Sequence, residues 1–229
     1  MRKALITGIN TGIGMGLAKF LLQNGYFVIG CVRKPEYFDL LIAEFKGFKG
    51  QYSLYAFDLN SDFTDKLQEI ENTQGIPEVI INNSGVFLTD SGDFEARYNN
   101  IISSLEVNLK APMRICEYFA AKMRSLPWGR IINISSKMGS LGDNSSGGYL
   151  SYRSSKALLN LYTINLAHQM ADSKIVVLTL HPGWIKTRMG GMGAPDEIGA
   201  AVERIAFALT DEASEFHGEF LVGKEKLPW

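Results

Sequence analysis

Short apolar runs alternate with longer amphipathic stretches from one end of the chain to the other. Segments 2–7, 26–32, 52–57, 79–82, 130–134, 175–180 and 219–222 read as strands, and several are apolar at successive positions, as strands covered on both faces are. Between them, segments 13–23, 36–45, 63–71, 101–124, 152–170 and 195–209 carry helical spacing. Asn24-Gly25 supplies a left-handed stop for the first helix. Pro195, Asp196 and Glu197 suit a first helical turn, where the missing N–H and the acids match the free donors and the dipole. Strict alternation predicts an α/β fold, a doubly wound parallel sheet of about seven strands in one domain over residues 1–229. Right-handed crossovers then put ligands at the carboxyl ends of the strands.

Composition narrows the function classes. The chain has 229 residues, 46% hydrophobic and 21% charged, a globular balance that excludes disorder. A net charge of −1 leaves no electrostatic footprint for nucleic acid or an anionic membrane. No apolar run is long enough to span a bilayer, and Met1-Arg2-Lys3 runs into too short an apolar stretch for a signal-peptide core; a cytoplasmic location is expected. Cys31 and Cys116 form no metal spacing or disulfide framework, and His168, His181 and His217 have no ligand spacing, so no metal is expected.

The candidate chemistry clusters at predicted strand ends. Strand one ends in Thr7-Gly8-Ile9-Asn10-Thr11-Gly12-Ile13-Gly14, where glycines allow a tight turn and a close backbone approach to a pyrophosphate. The helix that follows aims its free N–H groups at the phosphates. Strand two ends at Val32, followed by Arg33 and Lys34 where an NAD-preferring sheet carries an acid; the cations suit a 2′-phosphate. Strand three ends in Phe57-Asp58-Leu59, with Asp58 a candidate acceptor for an adenine amino group, and strand four in the turn Asn82-Asn83-Ser84-Gly85. Tyr152 and Lys156 lie four residues apart on one helical face. An ammonium beside a phenol favours the phenolate, so this pair is expected to draw the tyrosine's high pKa downward and to exchange a proton with a carbonyl or alcohol oxygen. Ser136 ends an apolar strand and is placed to hold the substrate oxygen. Asn108 falls inside a predicted helix, where asparagine is an indifferent former, which points to a kink or a bound water.

Together these residues resemble the short-chain dehydrogenase/reductase family over essentially the whole chain, at Thr7, Gly8, Gly12, Gly14, Asp58 and the turn Asn82-Asn83-Ser84-Gly85. The resemblance implies a Rossmann-type fold and a catalytic set of Asn108, Ser136, Tyr152 and Lys156. It implies cofactor contacts at Gly8, Asn10, Thr11, Gly12, Ile13, Gly14, Arg33, Asp58, Leu59, Asn83 and Gly85, with Tyr152 and Lys156 shared. The family's Pro-Gly turn, which holds a nicotinamide carboxamide, maps onto Pro182, Gly183, Ile185 and Thr187. The stretches 147–160 and 181–191 and the final Leu227-Pro228-Trp229 look like the sniffer and C-factor carbonyl-reductase branch. That likeness implies reduction of an aldehyde or ketone with NADP(H) preferred and NAD(H) possible, in a homodimer or homotetramer. Alternatives are an NAD-dependent alcohol dehydrogenase and a C-factor-like nucleotide-binding signalling protein. Thr11 departs from the basic residue common in that branch, and Arg188 from its aspartate. His181 is expected only to border the Pro-Gly turn, and Trp184 and Met189 to wall a substrate cleft or to pack.

Overall fold

The apolar runs become strands because burial on both faces favours apolar side chains at successive positions, the few polar ones being buried too. In the computed structural model, which describes residues 1–229, these are β1 Lys3–Thr7, β2 Phe27–Val32, β3 Tyr52–Ala56, β4 Val79–Asn82, β5 Gly129–Ile134, β6 Ile175–Leu180 and β7 Phe220–Val222. Every residue of β4, β5 and β6 is buried. With a short β8 at Glu225–Lys226, the sheet order is β3-β2-β1-β4-β5-β6-β7-β8, parallel throughout except for the last pair. The eighth strand, β8 Glu225–Lys226, corrects the expected count of about seven. It is two exposed polar residues folded back on β7, so no apolar run marks it.

Helices cover both faces. One carries α1 Gly12–Gln23, α2 Phe38–Glu44 and α7 Ile198–Ala206, whose Leu17, Leu21, Leu41 and Ile205 share a core with β1 and β6. The other carries α3 Thr64–Gln74, α5 Ala111–Met123 and α6 Leu150–Met170, contributing Leu67, Ile115, Phe119 and Leu166. α1 stops as its sequence predicts: Gly25 has φ +75°, its N–H donates to Leu22 O, and the Tyr26 N–H donates to Leu21 O. No helix is long and apolar enough to cross a membrane.

Two predicted helices need correction. The segment expected at 101–124 is α4 Phe94–Leu105, a π-helical turn Glu106–Lys110 and then α5. Its start was missed because Phe94 and Tyr98 point outward and break the apolar stripe; Asp93 caps it by accepting from Ala96 N at 2.9 Å. The expected first turn at Pro195 is not helical. Asp196 pairs with Ile185 as an isolated bridge and with Arg204 at 2.7 Å, and α7 begins three residues later than Pro195, at Ile198.

β1 lies between β2 and β4, so the connections leaving β1 and β4 run to opposite faces of the sheet. The loops part at their carboxyl ends and open a cleft there.

Candidate active site

The cleft, about 330 Å³, is floored by the turn after β1. Gly8 and Gly12 have positive φ, and a Cβ on Gly14 would overlap the Gly8 carbonyl oxygen. Only a bare backbone closes so tightly. Thr11 precedes α1 without a side-chain cap, so the first N–H groups of that helix stay free at the cleft. Thr7 locks this turn to the next loop, its Oγ1 accepting from Asn83 N at 3.1 Å and Ser84 N at 3.0 Å. Asn83 Nδ2 donates back to Thr7 O at 2.9 Å.

At one end of the cleft, Arg33 donates through Nε to Asp58 Oδ2 at 2.9 Å, with its Nη2 also 2.9 Å from that oxygen. Asp58 Oδ1 accepts from the backbone and side chain of Asn60, each at 3.0 Å. Led by the Asn60 backbone bond, these contacts hold the Asp58 carboxyl below its usual range. Two groups assigned separately from sequence are therefore one ion pair. Lys34 does not line the cleft.

At the other end, Tyr152 and Lys156 project from α6 over the end of β5, both buried. The Lys156 ammonium donates to Ile134 O at 2.9 Å and stands 5.7 Å from the centre of the Tyr152 ring. Ser136 continues β5 and is buried close to the phenol; its Oγ accepts from Met138 N at 3.2 Å, and it does not line the cleft, whereas Ser135 does. Burial dominates both ionisations. It pushes Tyr152 up to about 12, against the lowering bond from Ser136, and pulls Lys156 down to about 8. The expected downward shift of the phenol is thus reversed, because exclusion of water outweighs the lowering contact of Ser136.

Asn108 lies in the π turn and is fully buried. Its Oδ1 accepts from Val86 N at 2.8 Å, and its Nδ2 donates to Val86 O and Ser155 Oγ, each at 2.9 Å. The side chain ties the loop after β4 to α6 behind Tyr152, and it does not line the cleft. The π turn supplies the expected kink. Pro182 and Thr187 line the cleft, whereas Gly183 is covered by Arg204 and Ile185 is buried in its bridge to Asp196. Gly8, Asn10, Thr11, Gly12, Ile13, Gly14, Leu59, Asn83 and Gly85 all face the cleft. Met189 lines it too, while Trp184 stands outside, its indole N–H donating to Gly190 O at 2.8 Å. His181 is partly buried, its Nδ1 has no partner, and burial lowers it to about 4. Sequence reading missed Val86, which both lines the cleft and receives Asn108, and Ser155, the other anchor of Asn108. No local signal marks either, because each acts through a partner more than twenty residues away.

Comparison with known proteins agrees with this geometry. A family model described as short chain dehydrogenase matches residues 2–197. The C-signal protein of Myxococcus xanthus is 32% identical over 128 residues, covering 54% of this chain and 77% of that protein. An NADPH-dependent pterin aldehyde reductase of Arabidopsis thaliana is 29% identical over 189 residues, 82% of this chain and 76% of the relative. The solved structure of carbonyl reductase Sniffer of D. melanogaster superposes with a TM-score of 0.88 at 28% identity, with 100% of both chains covered. The chain belongs to the short-chain dehydrogenase family, and is an NAD(P)-dependent oxidoreductase of that family.

Proposed function

We propose that this protein reduces an aldehyde or ketone to an alcohol, with NADPH as the preferred cofactor. The observation that carries the reading is Tyr152 and Lys156, buried together at one end of a glycine-floored cleft, with Ser136 buried close to the phenol. The cradle fits a dinucleotide: the backbone closes tightly at Gly14, helix donors are free at Thr11, and Arg33 lines the cleft with a guanidinium that would hold a 2′-phosphate. A bound NADPH supplies the hydride. Tyr152, kept protonated by burial, gives its proton to the carbonyl oxygen, and Ser136 donates a hydrogen bond to that same oxygen. The Lys156 ammonium stabilises the phenolate left behind. Asn108 positions the loop and helix and takes no proton itself.

The similarity to Sniffer, a carbonyl reductase, and to the pterin aldehyde reductase supports this direction. NAD-dependent alcohol oxidation has against it the cation at Arg33. A signalling role with nucleotide binding alone rests on the C-factor-like stretches and on the similarity to the C-signal protein.

The test is turnover on a panel of aldehydes and ketones beside a fluorescence titration of NADPH. Tyr152→Phe removes the transferable proton and keeps the ring. A fall in kcat of at least about a hundredfold with nucleotide affinity nearly unchanged is expected. Wild-type rates in that variant would sink the assignment, and tight NADPH binding by wild type without turnover on any carbonyl would favour the signalling reading.

A further inference from the structure

α6, the helix that carries Tyr152, cannot cap itself. Tyr149, which precedes it, has φ +53°, the one non-glycine residue of the chain with a positive φ, and its side chain makes no capping bond. Asp90, sixty residues earlier, takes the free donors instead. Its Oδ2 accepts from Leu150 N at 2.5 Å, and its Oδ1 accepts from the Ser151 N–H and from the Ser151 hydroxyl, each at 3.3 Å. The same hydroxyl donates to Leu88 O at 2.9 Å, and the next residue is Tyr152.

The rest of this loop runs against the phenol. Phe87 meets the Tyr152 ring edge-on at 4.8 Å and the Tyr149 ring at 5.0 Å, and Thr89 O accepts from Asn100 Nδ2 at 2.9 Å. Val86 is held by Asn108. Residues 86–90 therefore form a strap between the π turn and the first turn of α6, and Asp90 is its terminal anchor.

We propose that Asp90 is a positioning residue for Tyr152, capping the catalytic helix from another part of the chain and fixing the phenol above the substrate carbonyl. This rests on Tyr152 as the acid of the proposed reaction. A carboxylate accepting several N–H bonds at a helix start holds the entry angle of the chain, and the tyrosine lies in that first turn. Proton transfer is sensitive to placement at the ångström scale, whereas the glycine cradle and Lys156 are anchored elsewhere. Losing the anchor should therefore slow the chemical step and leave cofactor binding alone.

The test uses the full chain, NADPH and an aldehyde that wild type reduces, with rates divided by the NADPH sites titrated in each preparation. Asp90→Ala is expected to lower kcat about tenfold, with substrate KM and NADPH Kd changed by less than about twofold. Asp90→Asn, which keeps an acceptor for Leu150 N, is expected to restore kcat to within about threefold of wild type. An unchanged kcat in Asp90→Ala would overturn the proposal, as would a parallel loss of kcat and NADPH affinity, the sign of general loosening. If Asp90→Ala does not fold, Asp90→Leu takes its place: it fills a similar space without an acceptor for the Leu150 and Ser151 N–H groups, and a kcat equal to wild type overturns the proposal equally. Failure of the underlying reading shows separately, as wild-type rates in Tyr152→Phe, and removes the role of Asp90 with it.

Discussion

Lys156 is a buried cation with a single hydrogen bond, to a backbone carbonyl, and no carboxylate beside it. Burial lowers it from 10.5 to about 8, so in the cofactor-free protein its charge opposes folding. The shift corresponds to about 3 kcal/mol, less about 1 kcal/mol for the bond to Ile134 that a replacement forfeits. The folded pKa lies below the unfolded one. The unfolded chain therefore binds more protons between about pH 8 and 10.5, and stability rises with pH through that window. Lys156→Met is expected to be about 2 kcal/mol more stable than wild type at pH 7 and to lose this advantage near pH 10.5, while losing activity. Urea melts at the two pH values check it; a variant less stable at pH 7 would mean that the ammonium is better solvated than its burial implies. Sequence spacing identified Lys156 as the neighbour of Tyr152 but not the direction of the tyrosine's shift. Adjacency is written in the four-residue interval, whereas the exclusion of water comes from Phe87, Ser136 and α6 converging from distant segments.

At the scale of elements, the turn between β1 and α1 is the most legible part of the site. Its glycines are required by contact, since Gly14 has no room for a methyl between the Gly8 carbonyl and the Asn83 amide. Gly14→Ala must push the turn open, and overpacking of this kind costs about 1–3 kcal/mol. NADPH affinity is expected to fall about tenfold or more, with kcat at saturating cofactor less affected, as isothermal titration and kinetics would show. Wild-type affinity in that variant would mean that the turn relaxes freely. The strands read correctly because successive apolar positions signal burial directly, in β4, β5 and β6 most clearly. What stayed hidden was made of long-range polar contacts. The π turn was visible only as an ill-placed Asn108, because the Val86 and Ser155 that Asn108 bonds from that turn are distant in the chain. β8 and the first turns of α4 lack an inward apolar pattern altogether.

Across the whole molecule, the sheet divides at β1 and β4 into two halves, and the cleft draws residues from both. Arg33 and Asp58 follow β2 and β3, while Tyr152, Lys156 and Thr187 come from beyond β4. A dinucleotide bridging the halves opposes unfolding of the entire sheet, so cofactor choice becomes readable as global stability. Arg33 is mostly exposed and already paired with Asp58. A 2′-phosphate must compete with that pair: hydrogen bonds to a charged group contribute about 1.5–3 kcal/mol, and an exposed ion pair takes back up to about 1. The net, near 1.4 kcal/mol, is about a tenfold preference for NADPH. At equal saturating concentrations, NADPH should therefore raise the Tm about 3–6 °C further than NADH does in a chain of this size. High salt should narrow the gap, because the pair is exposed. Arg33→Ala should close it by weakening NADPH alone. Val32→Asp, which adds a ribose acceptor and repels the phosphate, should reverse its sign. Thermal melts of the three proteins with each cofactor decide the matter. Equal shifts with NADPH and NADH in wild type would mean that Asp58 keeps Arg33 for itself and that the cleft does not distinguish the two cofactors.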